Sequence, residues 1–370
     1  MSFLSNYWTV RYTAIQDYRL GFSYWIGSSA IILLTLYELV AKQGYLELCE
    51  VDGFVLPRLK SALEVSDLQR FEYCRQETKT SCRLWDALEA SSAEDGEIFI
   101  ATRVQQEKQV SACQGEDCRA GFQTVEKTSF YLAGVENFTL QVTANIQAYR
   151  FRKEDAFGGH RYFGQHSHMD GVLMASDGQT PLRALPKTGS KDKIQIWELL
   201  HASGLHLDMK TDALNIKDDH DTFRDEGSVL LVSLEYDNKE SITLFSWLMG
   251  ERGQLTYRMH IEHLPGSEYK KYSIIDRQTL DDGTQMRTEQ KLHGLLVKFQ
   301  QVGAFGRVSV AAIIKHLLVG FGTLTVMTTV LDAAWNYLFP IFGIDYCDAV
   351  YSYCAARIDQ MTDSKNVKAE

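Results

Sequence analysis

Residues 20–37, LGFSYWIGSSAIILLTLY, carry no charge, with Arg19 before them and Glu38 and Lys42 after. A run of that length crosses a hydrocarbon layer of about 30 Å as a helix. A second apolar segment extends from Leu317 to Ile344, and its only charge is Asp332. Gly320, Gly322, Asn336, Thr323, Thr325, Thr328 and Thr329 make it too polar to face lipid all round, so one side is expected to meet protein or water. A cleaved signal peptide fits the first segment poorly, because nineteen residues precede it and no small-residue cleavage site follows. A buried core helix is the competing reading for each segment.

Between them lies one large polar block. The chain of 370 residues is 45% hydrophobic and 23% charged, which excludes a disordered chain. Its formal charge of −10 leaves no broad basic field, so nucleic acid is excluded as a partner. Two crossings place both tails on one side of the membrane, and the loop charges barely discriminate which. Asn137-Phe138-Thr139 is a glycosylation sequon, which argues for a block outside the cell or in a lumen.

Within the block, the runs 97–104, 138–152, 229–236, 242–247 and 295–301 are rich in β-branched and aromatic residues and are separated by Gly/Asp/Lys clusters. They predict mainly antiparallel β structure, and residues 194–205 predict a short helix. The fold class expected is therefore an α+β membrane protein with two transmembrane helices flanking a large β-rich extracellular or lumenal domain. Five cysteines fall in the block (Cys49, Cys74, Cys82, Cys113, Cys118) and two in the tail (Cys347, Cys354); spacing alone does not pair them.

The ends of the chain resemble the ionotropic purinergic receptors, the trimeric ATP-gated cation channels. That family opens with Y-x-T-x-K/R, matched by Tyr7-Trp8-Thr9-Val10-Arg11, with Gly21 ten residues on. Its K-K-G-Y at the end of the first helix is matched by Lys42-Gln43-Gly44-Tyr45, and its K-x-K by Arg58 and Lys60. Arg287, Thr288, Lys291, Gly294, Gly303, Gly306, Arg307, Thr328 and Asp332 follow the family pattern in one ungapped run. Glu136-Asn137-Phe138-Thr139 matches E-N-F-T, and Gly227-Ser228-Val229 resembles the start of G-G-x-I-G-I. Residues 75–125 and 150–190 align with nothing in the family.

The resemblance implies a homotrimer. Its divisions would be a cytoplasmic tail (1–19), transmembrane helix 1 (20–42), a ligand-binding domain (43–311), a pore-lining transmembrane helix 2 (312–340) and a cytoplasmic tail (341–370). ATP or a related nucleotide, with or without Mg, is implied as agonist, with cations and the lipid bilayer as the other partners. No cofactor, resident metal or catalytic residue is implied. By this resemblance Arg58, Lys60 and Lys291 grip the phosphates and Thr139 holds the adenine edge. A triphosphate needs several converging cations, and two residues apart on a strand face the same way. Gln141 stands where the family has a leucine beside the base. Lys270, after Pro265-Gly266 and Glu268, substitutes for the family's arginine, with Arg258 as runner-up. A lysine there loses the planar fork that binds phosphate bidentately.

The implied pore and gate residues are Lys315, His316, Val319, Gly322 and Val326. A lysine ring at a constriction opposes cation entry, so Lys315 and His316 either turn from the axis or alter conductance. His316 is also a candidate for pH-sensitive opening, with a plain interfacial histidine as the bland reading. The resemblance implies a plasma or intracellular vacuolar membrane.

Weaker groupings are His160, His166 and His168, the turn Asp218-Asp219-His220-Asp221, and Cys113 with Cys118 as a zinc pair. No nucleophile elbow, phosphate-cradling glycine loop or H-E-x-x-H occurs, so ATP hydrolysis is not indicated. Two alternatives remain at this point: a trimeric channel of the acid-sensing or epithelial sodium type, and a non-channel membrane receptor.

Overall fold

The computed structural model describes residues 18–61, 68–75, 81–111, 121–147, 163–165, 169–186, 191–214, 221–238, 243, 255–280 and 284–334. The chain divides into two compact units, one of residues 1–47 with 307–370 and one of residues 48–306.

The second unit is β-rich. In chain order its strands are β2 (Asp52–Lys60), β3 (Ser81–Arg83), β4 (Ser91–Glu94), β5 (Glu97–Ser111), β6 (Phe122–Leu132), β7 (Thr139–Gln147) and β8 (Phe163–Gln165). Then come β9 (Asp170–Met174), β10 (Pro181–Leu185), β11 (Asp192–Gln195), β12 (Ser228–Asp237), β13 (Thr256–His263), β14 (Lys270–Thr279) and β15 (Gln285–Val308), with β1 (Leu46–Glu50) preceding them all. The larger sheet runs β10-β9-β13-β12-β15-β5-β6-β3, with β14 and β4 pairing beside β15 and β5. The smaller runs β11-β7-β2, and β8 also pairs with β7.

Strict alternation explains how each strand finds its place. In β12, Leu230, Val232, Leu234 and Tyr236 are buried while the residues between them are half-exposed. In β7, Leu140, Val142, Ala144 and Ile146 are all buried. Each large aliphatic withdrawn in this way contributes roughly 1.5–3 kcal/mol, and a one-residue slip would expose the whole set. The runs expected at 97–104, 229–236 and 295–301 lie within β5, β12 and β15; the run at 138–152 forms β7, and residues 148–152 lie outside the described set, as does nearly all of 242–247. The helix expected at 194–205 is Ile196–Ala202, here α3, after α2 (Ala87–Ala90).

β15 changes neighbours along its length. Its first half pairs with β14, its second half runs parallel to β12, and the register with β5 shifts between His293 and Gly294. A Cβ on Gly294 would lie 2.0 Å from the Ile100 carbonyl oxygen. Gly227, which follows α4 (Phe223–Glu226) at φ +79, would meet the Gly294 carbonyl at 2.3 Å. Two family-pattern glycines thus meet where only backbone fits.

Cys74 and Cys82 form a disulfide, Cys49 is a buried free thiol, and Cys113 and Cys118 lie outside the described residues. So do His160, His166, His168, the turn 218–220, and the opening Tyr7–Arg11 motif.

The first unit holds α1 (Tyr18–Val40) and α5 (Val310–Ala333), both long and apolar enough to cross a membrane. At 1.5 Å per residue each spans roughly 35 Å. Phe22, Trp25, Leu33, Leu318, Phe321 and Val326 are exposed, which excludes the buried core helix considered above. Small residues let the two helices approach: Met327 Sδ lies 3.0 Å from where a Gly27 Cβ would sit, and Thr35 meets Gly320 in the same manner at 2.8 Å.

Candidate functional site

The β2–β7–β11 sheet turns one face to solvent, and its register assembles two rows across three strands. Lys60 pairs with Thr139, which pairs with Gln195; Arg58 pairs with Gln141, which pairs with Lys193. Directly opposed residues point to the same side of a sheet. Arg58, Lys60, Lys193 and Gln195 are exposed, Thr139 is half-buried, and Gln141 is buried between Arg58 and Lys193. The opposite face, with Val55, Leu140, Val142 and Ile194, is core. Lys193 escaped the sequence reading because it ends the cluster LPKTGSKDK, which reads as a loop.

Thr139 is fixed in place from behind. The turn Val135–Asn137 precedes it, Phe138 is buried, and the Ile196 amide donates to the Phe138 carbonyl at 3.0 Å. Glu136 accepts from Arg224, whose guanidinium is fully buried, and from the Tyr73 hydroxyl at 3.2 Å. Asp208 binds the same guanidinium through both oxygens, with Arg224 Nε to Oδ1 at 2.6 Å and Nη2 to Oδ2 at 2.9 Å. The guanidinium lies 3.6 Å from the centre of the Tyr73 ring. The acid of Glu136-Asn137-Phe138-Thr139 is thus a structural anchor. Asn137 is exposed, as a sequon requires.

Lys270 and Lys291 stand on the larger sheet. Lys270 pairs with His293 and Lys291 with Tyr272 across β14 and β15, so all four side chains share a face. Arg103 on β5 lies opposite His293. The Lys291 ammonium lies 5.3 Å from the Tyr272 ring centre, a cation–π separation. Lys270 is held between Glu226 and Glu268, the latter at 2.7 Å. Burial disfavours its ammonium, but the two carboxylates outweigh that and raise its pKa. Its charge is therefore engaged within the subunit. His293 is buried, and burial, then Arg103, Lys291 and Lys270, depress its pKa to about 3. Arg258, the runner-up, lies on β13 opposite Glu235.

The structure therefore brings Arg58, Lys60 and Thr139 together, and Lys270 with Lys291, but on two different sheets. Among the described residues no side-chain hydrogen bond or ion pair joins the two sets.

On α5, the spacing of Lys315, Val319, Gly322 and Val326 keeps them within roughly 60° of one another around the helix axis. All four are exposed. His316 departs from that stripe, because its ring covers Gly44, with Nε2 2.9 Å from where a Gly44 Cβ would sit. The backbone of Asp332 is helical, and its side chain is outside the described set.

No protein-family model matches the chain. Among curated proteins, it is 24% identical to P2X receptor E of Dictyostelium discoideum over 358 residues, covering 91% of this chain and 85% of that protein. It is 25% identical to P2X receptor C of the same organism, over 88% and 85%, and 25% identical to P2X receptor A, over 90% and 86%. Among solved structures, the chicken ATP-gated P2X7 receptor channel with the competitive antagonist TNP-ATP superposes with a TM-score of 0.51 at 14% identity, covering 85% of this chain and 98% of that one. A P2X receptor from the Gulf Coast tick, crystallised with ATP and Zn2+, gives 0.50 at 14% identity over 83% and 99%. The relatives, all named P2X receptors, match on sequence along almost the whole length, and the solved structures share the fold, two apolar helices flanking one β-rich domain.

Proposed function

We propose that this chain is one subunit of a homotrimeric ATP-gated cation channel. The observation that carries this reading is the register of the small sheet, which presents Arg58, Lys60 and Lys193 beside Thr139 on one exposed face. A nucleotide triphosphate, with or without Mg, lies against that face, and Lys291 reaches it from the larger sheet of a neighbouring subunit. Three such clefts serve one trimer. Relatives named as P2X receptors and a solved ATP-gated member of the same fold support this reading over an acid-sensing type of channel.

ATP is an agonist here and is not consumed, so the protein is a channel and not an enzyme. It binds the open state more tightly than the closed, and that difference in affinity shifts the equilibrium towards opening. Lys315, Val319, Gly322 and Val326 line the conduction path, while His316 packs inside the subunit. Residues 1–19 and 341–370 are cytoplasmic, 20–42 and 312–340 cross the bilayer, and 43–311 lies outside the cell or in a vacuole, glycosylated at Asn137. The acidity of the block concentrates cations near the entrance.

Patch recording with applied ATP, from the plasma membrane or from isolated vacuoles, tests this. ATP-evoked cation current abolished by Lys60→Ala and by Lys291→Ala is the expected result; assembled trimers silent to ATP in both membranes would overturn the proposal.

A further inference from the structure

We propose that Trp197 is the platform on which the base of the bound nucleotide stacks. The proposal rests on reading the Arg58–Lys60–Thr139 face as a nucleotide site, and adds the element that this face otherwise lacks. A purine offers a flat π surface as well as hydrogen-bonding edges, and a polar row satisfies only the edges. Both rows at this site are polar: Lys60, Thr139 and Gln195, then Arg58, Gln141 and Lys193.

Trp197 stands at the end of the first row. Its side chain is 49% exposed, and its indole N–H donates to the Gln195 carboxamide oxygen. Gln195 is the residue opposite Thr139, so the indole is tied to the cross-strand neighbour of the residue expected to read the base edge. Isolated exposed aromatics are common and carry no meaning alone. This one is held rigidly. Glu198 accepts from the Gln195 backbone amide at 3.0 Å and is itself gripped through both oxygens by Arg183 at 2.7 Å. Ile196 and Leu199 on either side are fully buried, and the Ile196 amide is bound to the residue before Thr139. An aromatic fixed before binding loses little entropy on stacking.

Phe54, the other large exposed aromatic on that face among the described side chains, is six residues along β2 from Lys60. That is roughly 20 Å at 3.3 Å per residue, too far for one nucleotide whose phosphates rest on Lys60. Distance therefore selects Trp197.

The test measures ATP binding to the purified trimer for the wild type and for Trp197→Ala, Trp197→Leu, Trp197→Phe and Lys60→Ala, with inorganic tripolyphosphate as a second ligand. Trp197→Ala and Trp197→Leu are expected to weaken ATP between about fivefold and a hundredfold, Trp197→Phe to restore most of the loss, and tripolyphosphate affinity to change less than about twofold. Wild-type ATP affinity in Trp197→Ala while Lys60→Ala loses binding would overturn the stacking proposal and leave the site intact. Equal loss of ATP in the leucine and phenylalanine variants, or of ATP and tripolyphosphate alike in Trp197→Ala, would overturn it in favour of a structural role. ATP binding insensitive to Lys60→Ala as well would remove the nucleotide face itself, and the proposal with it.

Discussion

Lys60 and Thr139 stand directly opposite one another on antiparallel strands, with Arg58 and Gln141 forming the next row on the same face. Lys193 closes that second row, so three cations, not two, border Thr139. A charge-assisted hydrogen bond is worth about 1.5–3 kcal/mol, and a more exposed cation less. Lys60→Ala is expected to abolish ATP-evoked current, and Lys193→Ala to shift the ATP concentration for half-maximal current upward by about threefold, the latter fading at high salt. Concentration–response curves at two ionic strengths check this. An unchanged curve for Lys193→Ala at low salt would remove it from the site.

Arg224 and Glu136 couple the interior to the same site. Breaking a fully buried ion pair costs about 3–5 kcal/mol, which is the upper bound here because Arg224 keeps Asp208 when Glu136 is removed. Glu136→Ala or Arg224→Ala should therefore lower the unfolding temperature of the purified trimer markedly, and Glu136→Ala should also weaken ATP in the protein that remains folded. Stability within the spread of surface variants would contradict the anchor role.

His293 makes stability depend on pH. Its folded pKa of about 3 lies below the ordinary imidazole value of 6.5. Between those values the unfolded chain binds a proton that the folded chain refuses, so the contribution is complete above about pH 6.5 and declines as pH falls, by at most about 1.4 kcal/mol per unit. His293→Gln is expected to flatten the acid limb of the melting profile between pH 6.5 and 4.5. The same slope in wild type and variant would show that other groups set it.

The two faces of α5 make separable predictions. Val319→Cys and Val326→Cys should be modified by water-soluble thiol reagents in the ATP-opened channel, with loss of current, whereas Met327→Cys, packed against Gly27, should be protected. Lys315→Gln should raise single-channel cation conductance. Protection of Val319→Cys in the open channel would place another stripe on the pore.

Elements with a local signature were legible in the sequence. The uncharged run 20–37 specified a spanning helix, and the alternation of Leu230, Val232, Leu234 and Tyr236 a strand buried on one face. Arg58 and Lys60 share a face by strand periodicity alone. What stayed hidden depends on partners distant in sequence. Nothing near Glu136 announces Arg224, eighty-eight residues on, nor Asp208 as the second carboxylate on it. Lys193 became visible only through its register with Gln141, and the engagement of Lys270 only through Glu226. His316 and Lys315 are adjacent in sequence, yet a helix turns 100° between neighbours, so one covers Gly44 and the other faces outward.

The central claim is that cations on two sheets act on one nucleotide only across a subunit boundary, and co-expression tests it most directly. Lys60→Ala subunits and Lys291→Ala subunits, each silent alone, should regain ATP-evoked current when expressed together, because some boundaries then unite an intact Lys60 with an intact Lys291. The double variant in one chain should remain silent. Mixed trimers that assemble at the surface and yet stay as silent as either parent would contradict the account.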